Sequence, residues 1–359
     1  MLVDTGTPNL GLIEGFYGRQ WSWDERTAMA AFLAATGYAF YLYAPKGDEH
    51  LRHKWTETWP TAVTGQLEKL RNECRTQGLK WGVGLSPFEL PLDYSANARG
   101  NLLRKLNELA VLQPDILCLL FDDMRGLDKN LASTQAAIVA DVLDTGLFPQ
   151  LIMCPSYYSR DSVLPELFGE MPVNYWDDLG RLLAKEVDIF WTGPRVISAE
   201  YPKQDLIDIT ERFQRAPVLW DNYPVNDGAT TSQYLHLAAF RNRSPQLASL
   251  TKGHAVNPMN QPALSRIPLL SLPQVYELGD AYDPGKAFDQ ACETVCTADV
   301  AKLLQEDATA FQTKGLANFN ADQTQALLNR YQGHSDPVCK EVVAWLNNEY
   351  QFDPSCLTG

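Results

Sequence analysis

Eight short apolar runs, each followed by an amphipathic stretch, recur along the first three quarters of the chain and constrain its fold more than any other feature. The runs are residues 10–13, 40–43, 81–85, 116–121, 151–154, 189–191, 218–220 and 253–256. They are nearly continuous in hydrophobicity, as expected of parallel strands whose outer face is covered by helices. Helix-like segments at 24–35, 62–77, 98–112, 134–144 and 203–213 lie between them. Ser22 stands before Asp24 and Glu25 as a helix start, and Gly37 and Gly78 stand where their segments should stop. This alternation predicts an α/β fold, a (β/α)8 TIM barrel. A doubly wound open sheet shares the periodicity. No Gly-x-Gly-x-x-Gly follows the first run, however, so dinucleotide binding has no support.

A barrel takes about 250 residues, and the chain has 359. Beyond residue 283 the texture changes. Residues 284–295, 298–314, 321–331 and 338–350 read as helices joined by short polar turns, without β-branched runs. The expected organisation is a catalytic barrel over residues 1–282 followed by a small C-terminal helical domain over 283–359.

The net charge of −14 is spread along the chain, with no run of Lys or Arg. Such a surface repels phosphate backbones and anionic bilayers, so neither nucleic acid nor membrane is an expected partner. No apolar stretch approaches the length of a membrane span. The seven cysteines are odd in number and dispersed, which argues against a disulfide framework and for a reducing compartment. The first residues carry neither a basic nor an apolar leader region, and the cytoplasm is the expected location. Cys292 and Cys296 sit one helical turn apart without a His or Cys partner nearby in sequence, and read as buried thiols.

Barrel active sites lie at the C-terminal ends of the strands, so the residues closing each apolar run matter most. They are Glu14–Gly18 after the first run, Lys46 after the second and Asp122-Asp123 after the fourth. Tyr157-Tyr158 follow the fifth, Asp221-Asn222 and Asn226-Asp227 the seventh, and Asn257 the eighth. Carboxylates, amides, one lysine and aromatics on one rim suit a neutral polyhydroxylated ligand. Asp122-Asp123 is the sharpest signal. Successive strand residues point to opposite faces, so adjacent carboxylates at a strand end can reach two points on one substrate. Glycosidases commonly need one carboxyl group protonated and another ionised. A helix N-cap is the competing reading for an isolated Asp-Asp, and a metal site lacks a third oxygen ligand. Taken singly, Lys46 reads as a surface lysine, Asp221-Asn222 and Asn226-Asp227 as turn residues, Trp191 and Trp220 as core, and His50 and His53 as loop residues.

In combination, EGFYGR at 14–19, YLYAPK at 41–46, LFDD at 120–123, WTGPRV at 191–196, WDNYPVND at 220–227 and Asn257-Pro258 resemble the glycoside hydrolase family 84 enzymes. These are the O-GlcNAcases and related bacterial β-N-acetylglucosaminidases. The six stretches occur in family order across the whole expected barrel. The resemblance implies a retaining exo-β-N-acetylglucosaminidase in which the 2-acetamido oxygen of the sugar attacks the anomeric carbon and forms an oxazoline. It assigns Asp122 to orienting the acetamido N–H and Asp123 to protonating the leaving oxygen and then activating water. Tyr158 matches a tyrosine that bonds the acetamido group. Gly15 (through its backbone), Lys46, Asp227 and Asn257 match positions that grip sugar hydroxyls, and Trp220 and Asn222 match pocket-lining positions. No metal or organic cofactor is implied, and the implied partner is a GlcNAc-containing glycoside or O-GlcNAc glycoprotein. Gly228 departs from the pattern, since many relatives carry tyrosine there. Two other readings compete: a hyaluronidase-like hexosaminidase acting on polysaccharide, and a catalytically silent sugar-binding barrel.

Overall fold

The computed structural model describes residues 8–126 and 129–358. Residues 1–7, on which the expectation about a leader rests, lie outside the described residues. Eight strands run β1 Leu10–Ile13, β2 Phe40–Tyr43, β3 Lys80–Leu85, β4 Ile116–Leu120, β5 Gln150–Cys154, β6 Asp188–Trp191, β7 Val218–Asp221 and β8 Gly253–Val256. Each pairs in parallel with the next, and β8 pairs with β1 through Leu10↔His254, Gly11↔Ala255 and Leu12↔Val256, closing the barrel. The predicted barrel is therefore the fold, with strand limits within one residue of those read from the sequence. Apart from Lys80 and Gln150 at the strand starts, strand residues are buried inside the barrel and under the helices, Trp81, Tyr41 and Phe190 completely.

Helix starts follow the local chemistry. The helix Trp23–Ala35 opens with a reciprocal box in which Ser22 Oγ accepts from Glu25 N and Glu25 accepts from Ser22 N. The helix Lys203–Phe213 falls where periodicity puts it. Two short helices between β5 and β6, Val163–Phe168 and Tyr175–Leu182, were not singled out in the sequence. Nor was Pro262–Leu278 after β8, which carries Pro268 and Pro273 in its interior.

The tail forms the helices Pro284–Val295, Ala298–Thr313, Ala321–Tyr331 and Pro337–Leu346. The last ends earlier than residue 350, because the chain turns left-handed at Asn348 (φ 60°). These helices build a second core together with residues that follow β7 and β8. Leu235, Leu237, Met259, Leu264 and Ile267 pack with Val300, Leu304, Phe311, Val342 and Trp345. Glu341, on the last helix, accepts 2.8 Å bonds from Ala263 N and Leu264 N and so caps the helix Pro262–Leu278. Burial pushes its carboxyl up to about 8 in spite of those two bonds. Among the described residues no helix is long and apolar enough to cross a membrane.

Candidate active site

At the C-terminal rim of the barrel a pocket opens between the strand ends. The loop after β1 brings Gly15 and Tyr17 to it, the loop after β2 brings Lys46, and the end of β4 brings Asp122 and Asp123. Cys154 and Tyr158 come from β5 and its loop, Trp220, Asn222 and Asp227 from β7 and its loop, and Asn257 from the end of β8. Every residue to which the family resemblance gives a role lines this one pocket, whereas Glu14, Tyr157, Asp221 and Asn226, which also close apolar runs, do not.

The two adjacent aspartates sit in opposite surroundings. Asp122 Oδ2 is 2.5 Å from Lys46 Nζ, an ion pair in which both side chains are almost wholly buried. Its other oxygen, Oδ1, is buried and has no hydrogen-bond partner among the described residues. Lys46 also donates to Ser86 Oγ at 3.3 Å and lies over the Trp220 ring. Its ammonium therefore serves the aspartate first, and is buried where the bare sequence suggested surface. Among the described residues no cation pairs with the Asp123 carboxylate. Instead Tyr158 Oη donates to Oδ1 at 2.9 Å and Tyr17 Oη to Oδ2 at 2.8 Å. Burial, followed by the charge of Asp123, holds both phenols far above the usual tyrosine range, so both stay neutral donors. Asp123 adopts a left-handed backbone (φ 53°), which Asp and Asn tolerate better than other side chains.

Across the pocket an amide network fixes the opposite wall. Asn257 Oδ1 accepts from Gly15 N at 3.1 Å, and Asn257 Nδ2 donates to Asn222 Oδ1 at 2.9 Å. Asn222 Oδ1 accepts from Trp220 Nε1 as well, and Asn222 Nδ2 donates to Val196 O. A Cβ on Gly15 would lie 2.2 Å from Trp220 Cζ2, so only glycine lets the first loop pass the indole. Since Asn257 takes the Gly15 N–H, a backbone contact from Gly15 to a ligand falls to its carbonyl. Asp227 Oδ2 accepts from Tyr17 N at 2.8 Å. Burial pushes the Asp227 carboxyl up to about 6, and the bond from Tyr17 N offsets only part of that.

The sequence profile of the β-N-acetylglucosaminidase family matches residues 10–312. This chain belongs to the β-N-acetylglucosaminidase family. It is similar to the proteins named Protein O-GlcNAcase of Rattus norvegicus and Mus musculus, each 30% identical over 262 residues. That match covers 69% of this chain but 28% of each relative, so the chain corresponds to less than a third of their length. A mutant O-GlcNAc hydrolase of Thermobaculum terrenum shares the architecture, with a TM-score of 0.78 and 28% identity over 96% of this chain and 81% of that one.

Other acidic residues of this β-N-acetylglucosaminidase-family barrel are framework. Asp221, which the sequence offered as a turn residue, ends β7 fully buried. Arg243 grips it with two 2.7 Å bonds, and His254 Nε2 lies 2.9 Å away. Burial alone would raise its carboxyl, but Arg243 and His254 outweigh burial and hold it at about 2. Glu14, fully buried, is bound by Arg26 Nε at 3.0 Å and by Tyr41 Oη. Asn226 Nδ2 donates to Tyr234 O in its own loop and to Gln261 Oε1, and its Oδ1 accepts from Asn260 N, tying the loops after β7 and β8 together. Trp191 is core, bonded to Asp205. Gly228 lies outside the pocket lining, in a turn where its N–H bonds Thr231 Oγ1. Among the described residues no group of His, Cys, Asp or Glu could hold a metal ion.

Several site residues went unnamed in the sequence. Tyr17 lay in plain view within EGFYGR, and its strand-end position was the available signal. Arg52 donates to Asp123 O at 3.2 Å from a short helical turn after β2 that no motif marks. Cys356 and Thr358 also line the pocket, from the far end of the chain, and nothing in their sequence points there.

Proposed function

We propose that this chain is a retaining exo-β-N-acetylglucosaminidase working by substrate assistance. Its preferred bond would be O-linked GlcNAc on Ser or Thr, in line with the names of its relatives. The observation that carries the reading is the asymmetry of Asp122 and Asp123. A carboxylate paired at 2.5 Å with a buried lysine is a poor proton carrier. It is well suited to a fixed negative charge, and its unpartnered Oδ1 is an acceptor in want of a donor. The acetamido N–H of a bound GlcNAc supplies one. Accepting that N–H turns the acetamido carbonyl oxygen toward the anomeric carbon and stabilises the positive charge that grows on the amide as the oxazoline forms.

Asp123 is held by neutral hydroxyls, which can donate to its anion or turn to accept from its acid form. It can thus give a proton to the departing glycosidic oxygen. It can then recover one from the water that opens the oxazoline, and the two inversions at the anomeric carbon sum to retention. In this reading Tyr158 reaches the acetamido group beside Asp123, and Trp220 with Asn222 walls it. Asp227, Asn257, Lys46 and the Gly15 backbone receive the hydroxyls. The odd number and dispersal of the seven cysteines favour a reducing, cytoplasmic setting.

A series of aryl glycosides with acetyl, monofluoroacetyl, difluoroacetyl and trifluoroacetyl on the 2-nitrogen tests the mechanism. Fluorine drains the carbonyl oxygen of nucleophilicity, so kcat/KM should fall steeply along the series. A flat series would mean that the amide takes no part in the displacement.

A further inference from the structure

The pocket is closed on one side by a segment of the chain that belongs to neither the barrel nor the tail helices. After the left-handed turn at Asn348 the chain runs back over the barrel rim. Arg19, which ends the first-loop motif, meets Glu349 at 3.5 Å and lies 4.7 Å beneath the Tyr350 ring. A Cβ on Gly18 would lie 3.5 Å from Gln351 O. Farther along, Asp353 comes near enough to His53 for its charge to act on that imidazole. Asp353 Oδ1 and O accept from Ser355 N and Cys356 N, a turn that directs Cys356 inward. Cys356 is buried and, with Thr358, lines the pocket, while Phe352, Pro354, Ser355 and Leu357 stay exposed. Among the contacts of the described residues, the segment is held by an exposed ion pair and a cation–π contact at one end and by the buried side chain of Cys356 at the other. The exposed ion pair and the cation–π contact hold weakly.

Its course also fixes which side of the pocket it covers. Tyr17 bonds Asp123, Arg52 bonds the Asp123 carbonyl, and His53 is the next residue after Arg52. The segment passes from Gly18, whose neighbour Tyr17 bonds Asp227 through its backbone and Asp123 through its hydroxyl, toward His53, and so follows the span between the two aspartates, at whose Asp123 end the reading above puts the departing oxygen. We propose that residues 351–358 are a strap over the leaving-group side, which admits a small aglycone as it stands and must be displaced by a peptide aglycone. The proposal rests on the hydrolase reading for the identity of that side. It makes the strap a determinant of aglycone size, while the sugar contacts remain with the strand ends.

Two full-length variants test it, one with residues 351–355 replaced by a Gly/Ser stretch of equal length and one with Cys356→Trp. Each is assayed on an aryl β-N-acetylglucosaminide and on a short peptide carrying O-linked GlcNAc on serine. Loosening the strap should raise kcat/KM on the glycopeptide at least fivefold and change that on the aryl sugar less than threefold. Wedging a Trp under it should shift the same ratio at least threefold. A ratio within twofold of the parent in both variants overturns the proposal. Amide hydrogen exchange of residues 350–358 in the unaltered chain guards against misfolded variants. Glycopeptide should accelerate exchange there and N-acetylglucosamine should not, and equal exchange with both ligands would overturn the proposal. If the unaltered chain fails to hydrolyse the aryl sugar, the hydrolase reading falls, and the exchange experiment still judges the strap.

Discussion

Asp123→Asn should separate the two halves of the proposed chemistry. The choice of Asn follows from the backbone: Asp123 sits at φ 53°, where Asn is tolerated and Ala adds strain of about 1–3 kcal/mol. Asn also keeps an oxygen for one tyrosine hydroxyl, and the other hydroxyl can turn to accept from the new amide. Folding should therefore change by less than about 1 kcal/mol. What Asn cannot do is give up a proton. General acid catalysis contributes about 10²–10⁴-fold, equivalent to about 2.7–5.5 kcal/mol of barrier. On a substrate with an alkyl leaving group, such as a serine glycoside, kcat/KM should fall by about that factor. An activated aryl group leaves as a stable anion, so its kcat/KM should fall by less than about tenfold. Its kcat should drop further, since opening of the oxazoline still needs a base. The assay is initial-rate kinetics on both substrates, with a melting curve to verify the fold. An equal loss of kcat/KM on the two leaving groups would refute the acid role.

Three further outcomes follow from the same geometry. Asp227 titrates near 6 because it is buried, and as an acid with a raised folded value it makes the fold lose stability as pH climbs from about 4 to 6. Asp227→Asn should thus stabilise the unliganded protein at pH 7 by up to about 3 kcal/mol, from roughly two pKa units at 1.36 kcal/mol each, while weakening sugar binding; in the parent, KM should rise below pH 6. Thermal melts against pH and a KM–pH profile would expose either part as wrong. Gly15→Ala drives a Cβ to 2.2 Å from the Trp220 ring, so it should cost about 1–3 kcal/mol of stability and raise KM, and a variant with parental KM would contradict the close fit. Asp221→Asn strands the buried Arg243 guanidinium, and denaturant titration should find a loss of about 3–5 kcal/mol; a loss below about 1 kcal/mol would show that the pair is not structural.

The barrel was legible because each of its strands is an apolar run bounded by turn residues, a purely local pattern. Asp122, Asp123 and Asn257 were legible for the same reason, since a barrel presents its strand ends on one rim. What adjacency in sequence leaves open is who neutralises whom. Lys46 reads as a surface lysine on its own, and only closure of the barrel carries it to Asp122. Asp221 and Asp122 both close apolar runs, yet Arg243 and His254 make one a strut and leave the other an open oxygen. The helix Pro262–Leu278 was hidden by two internal prolines, which its packing in both cores tolerates. Cys356 and Thr358 reach the site across more than two hundred residues of chain from Asp123. No periodicity or motif reports a contact of that kind.

The most direct measurement is initial hydrolysis of an aryl β-N-acetylglucosaminide beside the matching aryl β-glucoside. Without the acetamido group a glucoside has no internal nucleophile, and it offers Asp122 Oδ1 no N–H donor. Substrate assistance requires turnover of the acetamido sugar and at least about a thousandfold less of the glucoside, the loss of about 4 kcal/mol of transition-state stabilisation. Comparable turnover of both would mean that the protein supplies its own nucleophile, and would contradict the roles given to Asp122 and Asp123.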